Sequence, residues 1–216
     1  MKISWSEALM KKFGEFVFAE KNTIFQNRLK YVNVNLFNYL IDWRIREGVN
    51  LRDWLAKQVA DPFGEEIVLF NNWREIKNID DRMFAIFRFV YSQYNYISDD
   101  KNWETPEHWS SLKESYETKN KRGDCEDGAI AMFVLARKSG MPENRIKVVA
   151  GDVLGGGHCW VLYSSNDAND YALDWCYWAD LRDFADRPDF WSLDGYYCGD
   201  EIWFAVTDNS LYIKNG

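Results

Sequence analysis

The chain has 216 residues and a net charge of −8, 26 basic against 34 acidic, with no basic cluster. That balance argues against nucleic acid or an anionic membrane surface as a partner. Aromatic residues make up 17 % and include 11 tryptophans, a composition that folds around a core and does not stay disordered. Four cysteines in a chain of this length do not read as a disulfide framework.

Residues 1–20 interleave Lys, Glu and Phe without the apolar centre of a signal peptide, and no apolar run is long enough to span a bilayer. The expected compartment is the cytoplasm, or a particle assembled there. A helix is expected over 4–20, with Ser4 as N-cap, Glu7 at the capping-box position and Leu9, Phe13, Phe16 and Val17 on its apolar face. An aromatic segment from Tyr31 to Trp54 keeps near-helical spacing, and Asp61-Pro62-Phe63-Gly64 is a turn. Residues 1–75 are therefore expected to be a helical extension packed on a catalytic unit spanning 76–216.

Asp80 starts the next expected helix, which buries Met83, Ile86, Phe87, Phe89 and Val90 and ends near Gln93. A polar loop follows over 94–100. Thr105 with Pro106 then predicts a short helix carrying His108, Trp109 and Leu112. A charged loop leads to Gly123-Asp124-Cys125-Glu126-Asp127-Gly128-Ala129 and an apolar run to Arg137. This reads as a helix with Asp124 as N-cap, Asp127 in a capping-box-like position, and Lys138 and Gly140 at its close. Cys125 falls at the first helical position, where unpaired N–H groups and the positive dipole end favour a thiolate.

Beyond that helix the hydrophobic period changes to two. Strands are expected over 145–150, 158–163 and 169–175, with a closing hairpin over 202–206 and 211–213. Pairing Tyr163 with Asn169 across a five-residue loop sets His158 opposite Asp174, within about 5 Å at Cβ. A carboxylate there can hold the imidazole Nδ1–H. A one-residue slip would send the two to opposite faces. Cys125, His158 and Asp174 are together what nucleophilic cysteine catalysis needs: a sulfur, a base to take its proton, and a carboxylate to fix the base's tautomer.

Three blocks, Gly123 to Ala129, Gly157-His158-Cys159-Trp160-Val161 and Tyr171-Ala172-Leu173-Asp174-Trp175, resemble the catalytic blocks of the transglutaminase-like superfamily of papain-type folds. Their order is similar to that of the bacterial transglutaminase-like cysteine proteinases. The resemblance runs from about Asp80 to Trp203. It implies an α+β fold, with a catalytic helix packed on an antiparallel sheet, and acyl transfer from a peptide bond or a glutamine side chain. Cys125 would be the nucleophile, His158 the general base and acid, and Asp174 its orienter.

The same resemblance implies an indole donor to the oxyanion, assigned to Trp103 with Trp109 as competitor. Substrate contacts fall to Trp109, Gly157 and Trp175. Hydrolysis is favoured over crosslinking to an amine, since nothing in the sequence marks an amine-acceptor site. A catalytically silent scaffold on the same fold stands as the alternative from another class.

No cofactor is required by this chemistry. Some related bacterial proteases bind calcium near the acidic block, but Asp124, Glu126 and Asp127 are too local to complete a six- to eight-oxygen shell by themselves. Cys159, Cys176 and Cys198 have no zinc-ligand spacing. The partner expected is a protein or peptide substrate. Oligomeric state is not encoded in any motif.

Overall fold

The computed structural model describes residues 29–31, 51–153, 156–177, 179, 181–187, 189, 190 and 202–214. In chain order these form strand β1 (Leu29–Tyr31), helices α1 (Leu51–Ala60), α2 (Glu65–Phe70) and α3 (Ile79–Gln93), strand β2 (Asn95–Tyr96), helix α4 (Asp99–Asn102), strand β3 (Arg122–Gly123) and helix α5 (Cys125–Lys138). Five strands follow: β4 (Ile146–Val153), β5 (Gly156–Ser164), β6 (Asp170–Leu173), β7 (Ile202–Val206) and β8 (Leu211–Lys214). The expected helix over 4–20 lies outside the described residues.

The α+β class is as expected. One antiparallel sheet runs in the order β1-β8-β7-β4-β5-β6, and a short parallel pair joins β2 to β3. The N-terminal segment is not purely helical, because β1 forms an edge of the main sheet against β8. That contribution leaves no mark in the sequence, since three residues are too few to show a period. Among the described residues no helix is long and apolar enough to cross a membrane.

Helix α5 sits at the centre. Every residue from Glu126 to Ala136 is buried, because the helix packs on β4 and β5 along one side and on α1, α2 and α3 along the others. This explains why its sequence is apolar on all faces instead of amphipathic. The sheet is buried on both faces. Val148, Val161 and Tyr163 point into the main core, while Val149, Trp160, Leu162 and Phe190 make a second cluster behind.

Lys138, at the end of α5 and only 6 % exposed, ties the helices together. Its ammonium donates to the carbonyl of Val59 at 2.8 Å and to that of Asp61, and it faces Glu65 at 3.8 Å.

Two expected helix starts differ. The cap of α3 is Asn78, whose side chain accepts from the Asp80 N–H at 3.0 Å. No helix begins at Thr105. The backbone N–H of His108 is taken by Asp99 and that of Ser110 by Asp127 Oδ1 at 2.7 Å. With those donors committed to buried carboxylates, no regular structure forms before Leu112.

Candidate active site

Cys125 opens α5, as its position after a capping aspartate predicts, but the cap differs from expectation. Asp124 makes no side-chain cap bond, and Asp127 turns away from the helix start to receive Ser110. The two glycines of the block answer to sterics. A Cβ on Gly123 would lie 2.2 Å from Asp127 Oδ2, and one on Gly128 would lie 2.1 Å from Trp175 Nε1. Only hydrogen fits at either position.

His158 lies in β5 opposite Gly151 of β4, beside a register irregularity between β4 and β7. Such bulges re-aim nearby side chains. The imidazole is 3 % exposed and its Nε2 lies 2.7 Å from Asp174 Oδ2. The expected hairpin register is off by two residues: Tyr163 pairs with Tyr171 and Ser164 with Asp170. The loop over 165–169 closes on itself, with Ser165 N donating to Asn169 O at 3.0 Å. An even shift preserves the face, so Asp174, just past β6, still reaches the ring. It meets Nε2 instead of the expected Nδ1. Nδ1 is buried and has no hydrogen-bond partner among the described residues.

Asp174 is fixed from behind. Its Oδ1 accepts from the backbone N–H groups of Cys176 at 2.9 Å and Tyr177 at 3.1 Å. The ring of Tyr177 stacks on His158, with centroids 4.3 Å apart and planes 9° from parallel. Between them Trp175 donates its indole N–H to the carbonyl of Cys125 at 3.2 Å. The four residues 174–177 thus grip the histidine with two side chains and the cysteine backbone with a third. Sequence reading found Asp174 but offered Tyr177 only as a groove or core aromatic and gave it no place at the histidine, since its ring follows a strand end in a run of aromatics without a period.

The thiol itself points elsewhere. Cys125 Sγ donates to Glu126 Oε2 at 3.1 Å. Burial first, then the charges of Glu126, Cys159 and Asp124, hold it well above the ordinary cysteine value. The expected stabilisation of a thiolate by the helix start is outweighed here, because a helix dipole contributes about 0.3–1 kcal/mol at exposed sites and acidic neighbours oppose it.

Those neighbours form a cluster. Ligand oxygens of Asp99, Asp124 and Asp127 lie within 4.8 Å of one another. Asp99 Oδ1, Asp124 Oδ1, Glu126 Oε1 and Asp127 Oδ2 are all buried without a hydrogen-bond partner among the described residues. Burial raises all four carboxyls, Asp99 to about 7. Orphaned buried oxygens contributed by α4, the cap and α5 fit a hard divalent cation. Asp99 supplies what the three consecutive-block carboxylates lack, a ligand from elsewhere in the chain.

The remaining candidates have clear places. Trp103 is stacked on His108, centroids 4.0 Å apart, with Lys119 Nζ 4.1 Å from its ring centroid; its Nε1 is buried without a partner among the described residues. Trp109 is a core side chain, 3 % exposed, donating to Glu107 Oε1 at 2.8 Å. Trp175 is likewise buried, at 4 %. A Cβ on Gly157 would meet Trp203 at 2.9 Å, so Trp203 is the close neighbour of that glycine. Cys159 is buried and Cys176 half-buried. Cys198 lies outside the described residues.

A central helix starting at a cysteine, set on an antiparallel sheet that carries a buried His–Asp pair, defines a papain-type, transglutaminase-like fold. Among solved structures, LapG of Legionella pneumophila, a transglutaminase-like cysteine protease, matches with a TM-score of 0.50 at 17 % identity, over 75 % of this chain and 87 % of that one. Its calcium-bound form gives 0.49 at 17 % identity, over 76 % and 90 %. A candidate cysteine protease from Cytophaga hutchinsonii gives 0.37 at 21 % identity, over 58 % of this chain and 38 % of that one. No protein-family model matches the sequence, and no curated protein matches it. At such identities the likeness is one of fold.

Proposed function

We propose that the chain is a cysteine-dependent amidase or peptidase, with Cys125 as nucleophile, His158 as base and acid, and Asp174 as orienter. The observation that carries this reading is the 174–177 segment, which holds His158 by Nε2 and Cys125 by its carbonyl. With Nε2–H donated to Asp174, the lone pair of Nδ1 is free to accept the thiol proton. Rotation of the Cys125 side chain away from Glu126 would present Sγ to it. The thiolate then adds to the carbonyl of a peptide bond or glutamine side chain. The oxyanion is met by the Cys125 N–H at the helix start and by a second donor, for which the indole N–H of Trp103 is the candidate. One such donor contributes about 3 kcal/mol. His158 returns its proton to the leaving amine or ammonia, then draws one from the water that frees the acid.

A cation held by Asp99, Asp124 and Asp127 would offset the negative charge that burdens the thiol.

The test is incubation of the purified chain, with calcium, against casein and glutamine-containing peptides, followed by mass spectrometry and ammonia assay. New amino termini or ammonia, absent with Cys125→Ser, support the reading. Amine incorporation in place of water would reassign it to crosslinking. Absence of both products at every condition would reduce the chain to a silent scaffold.

A further inference from the structure

We propose that His158, Asp174 and Cys176 form a second, soft metal site, selective for zinc(II) and inhibitory when filled. One imidazole nitrogen, one carboxylate oxygen and the Cys176 sulfur lie within 4.8 Å of one another. Cys176 Sγ is 3.4 Å from Asp174 Oδ1, and His158 Nε2 is 2.7 Å from Asp174 Oδ2. Ligand atoms in tetrahedral zinc sites stand about 2.0–2.3 Å from the ion, hence roughly 3.3–3.7 Å apart. The sulfur–carboxylate distance is near that spacing already, the imidazole nitrogen and the sulfur lie within 4.8 Å, and the histidine–aspartate contact needs to open by about 1 Å.

The donor set, one nitrogen, one sulfur and one carboxylate oxygen, suits zinc and not calcium. It is separate from the all-oxygen cluster at Asp99, Asp124 and Asp127. Two of the ligands are almost fully enclosed, His158 at 3 % exposed and Asp174 at 1 %. Cys176 is half-buried and gives the ion its approach from solvent. The turn that binds Asp174 Oδ1 to two backbone N–H groups preorganises the carboxylate, as an outer shell does around known metal ligands.

Binding is a ligand exchange without redox change. The Cys176 S–H bond breaks, its proton leaves to solvent, and sulfur bonds the metal. His158 bonds through Nε2, the nitrogen facing Asp174, so the ring hydrogen moves to Nδ1. That tautomer has no lone pair left for the proton of Cys125. Inhibition rests on the proposed role of His158; metal binding does not.

The test uses cobalt(II) as a spectroscopic probe on the full chain, with excess calcium to occupy the carboxylate cluster. A sulfur-to-cobalt charge-transfer band is expected, displaced by zinc(II), lost in Cys176→Ser and Cys176→Ala, and retained in Cys125→Ser. His158→Gln should weaken cobalt binding by at least the ~10–100-fold typical of an outer-shell change. Zinc should slow amide hydrolysis by the wild-type chain and not by Cys176→Ser, whose hydroxyl still donates to Asp174. A band that persists without Cys176, or that disappears with Cys125 instead, overturns the site. Unchanged cobalt affinity in His158→Gln does the same. Equal zinc inhibition of wild type and Cys176→Ser overturns the inhibitory role, and a chain with no hydrolytic activity that still shows the band would refute the catalytic reading alone.

Discussion

The indole N–H of Trp175 reaches the backbone carbonyl of Cys125 at 3.2 Å, one residue after the carboxylate that holds His158 at 2.7 Å. A residue whose substitution would pass for core damage is therefore also tied to the backbone that carries the Cys125 sulfur.

Trp175→Phe keeps most of the ring and removes that one bond. It should cost about 1 kcal/mol of stability and lower kcat/KM with little change in KM. Gly128→Ala presses a methyl into the same indole and should cost about 1–3 kcal/mol by overpacking. Urea unfolding measures both, and a fully stable Gly128→Ala chain would show that the helix start is not tightly packed.

Asp174 acts as an acceptor for Nε2–H. Asparagine can do that with its amide oxygen; alanine cannot. Asp174→Ala should lower kcat by about 10²- to 10⁴-fold, the usual range for disabling a general base, and Asp174→Asn by less. Equal losses in a steady-state assay would mean that charge, not orientation, is the contribution.

Stability should depend on pH through the acidic cluster when divalent cations are chelated. Asp99 is raised from 3.8 to about 7, mainly by burial and then by Asp124. A carboxyl with a folded value above its unfolded one stabilises the fold while protonated. That contribution is complete below about pH 4 and is lost as pH rises through about 7. With chelator present, the melting temperature should fall between those limits. Asp99→Asn should flatten the fall, and calcium should restore stability at the upper end. A slope indifferent to both changes would show that these carboxylates find other partners in solution.

Lys138→Met leaves the carbonyls of Val59 and Asp61 without their donor. Each lost bond is only partly buried and is worth about 0.5–1.5 kcal/mol, so the variant should lose stability to chemical denaturation while α5 remains folded. Unchanged stability would mean water replaces the ammonium.

Much of this was legible because two signals were strong. The change of hydrophobic period after Gly140 located all five strands of the C-terminal half to within a few residues, and the fully apolar run after Cys125 marked a helix enclosed on all sides. The hairpin register missed by two, since loop closure by Ser165 and Asn169 is a side-chain and backbone detail that alternation does not encode. It kept the face because parity, unlike register, is written in the pattern.

What sequence reasoning could not supply was competition for polar groups. Asp127 looked like a helix cap but serves Ser110, and Asp99 looked like loop polarity but enters a buried cluster with Asp124 and Asp127. The raised thiol of Cys125 follows first from its burial and then from the charges of Glu126, Cys159 and Asp124, a combination that no local spacing reveals.

The most direct measurement is the alkylation of individual thiols by iodoacetamide near neutral pH with calcium present, followed by peptide mass spectrometry. Cys125 should be modified well ahead of Cys159 and Cys176, and His158→Ala should erase its lead. Equal rates at the three sulfurs, or a lead for Cys125 that survives the loss of His158, would contradict nucleophile activation by the imidazole.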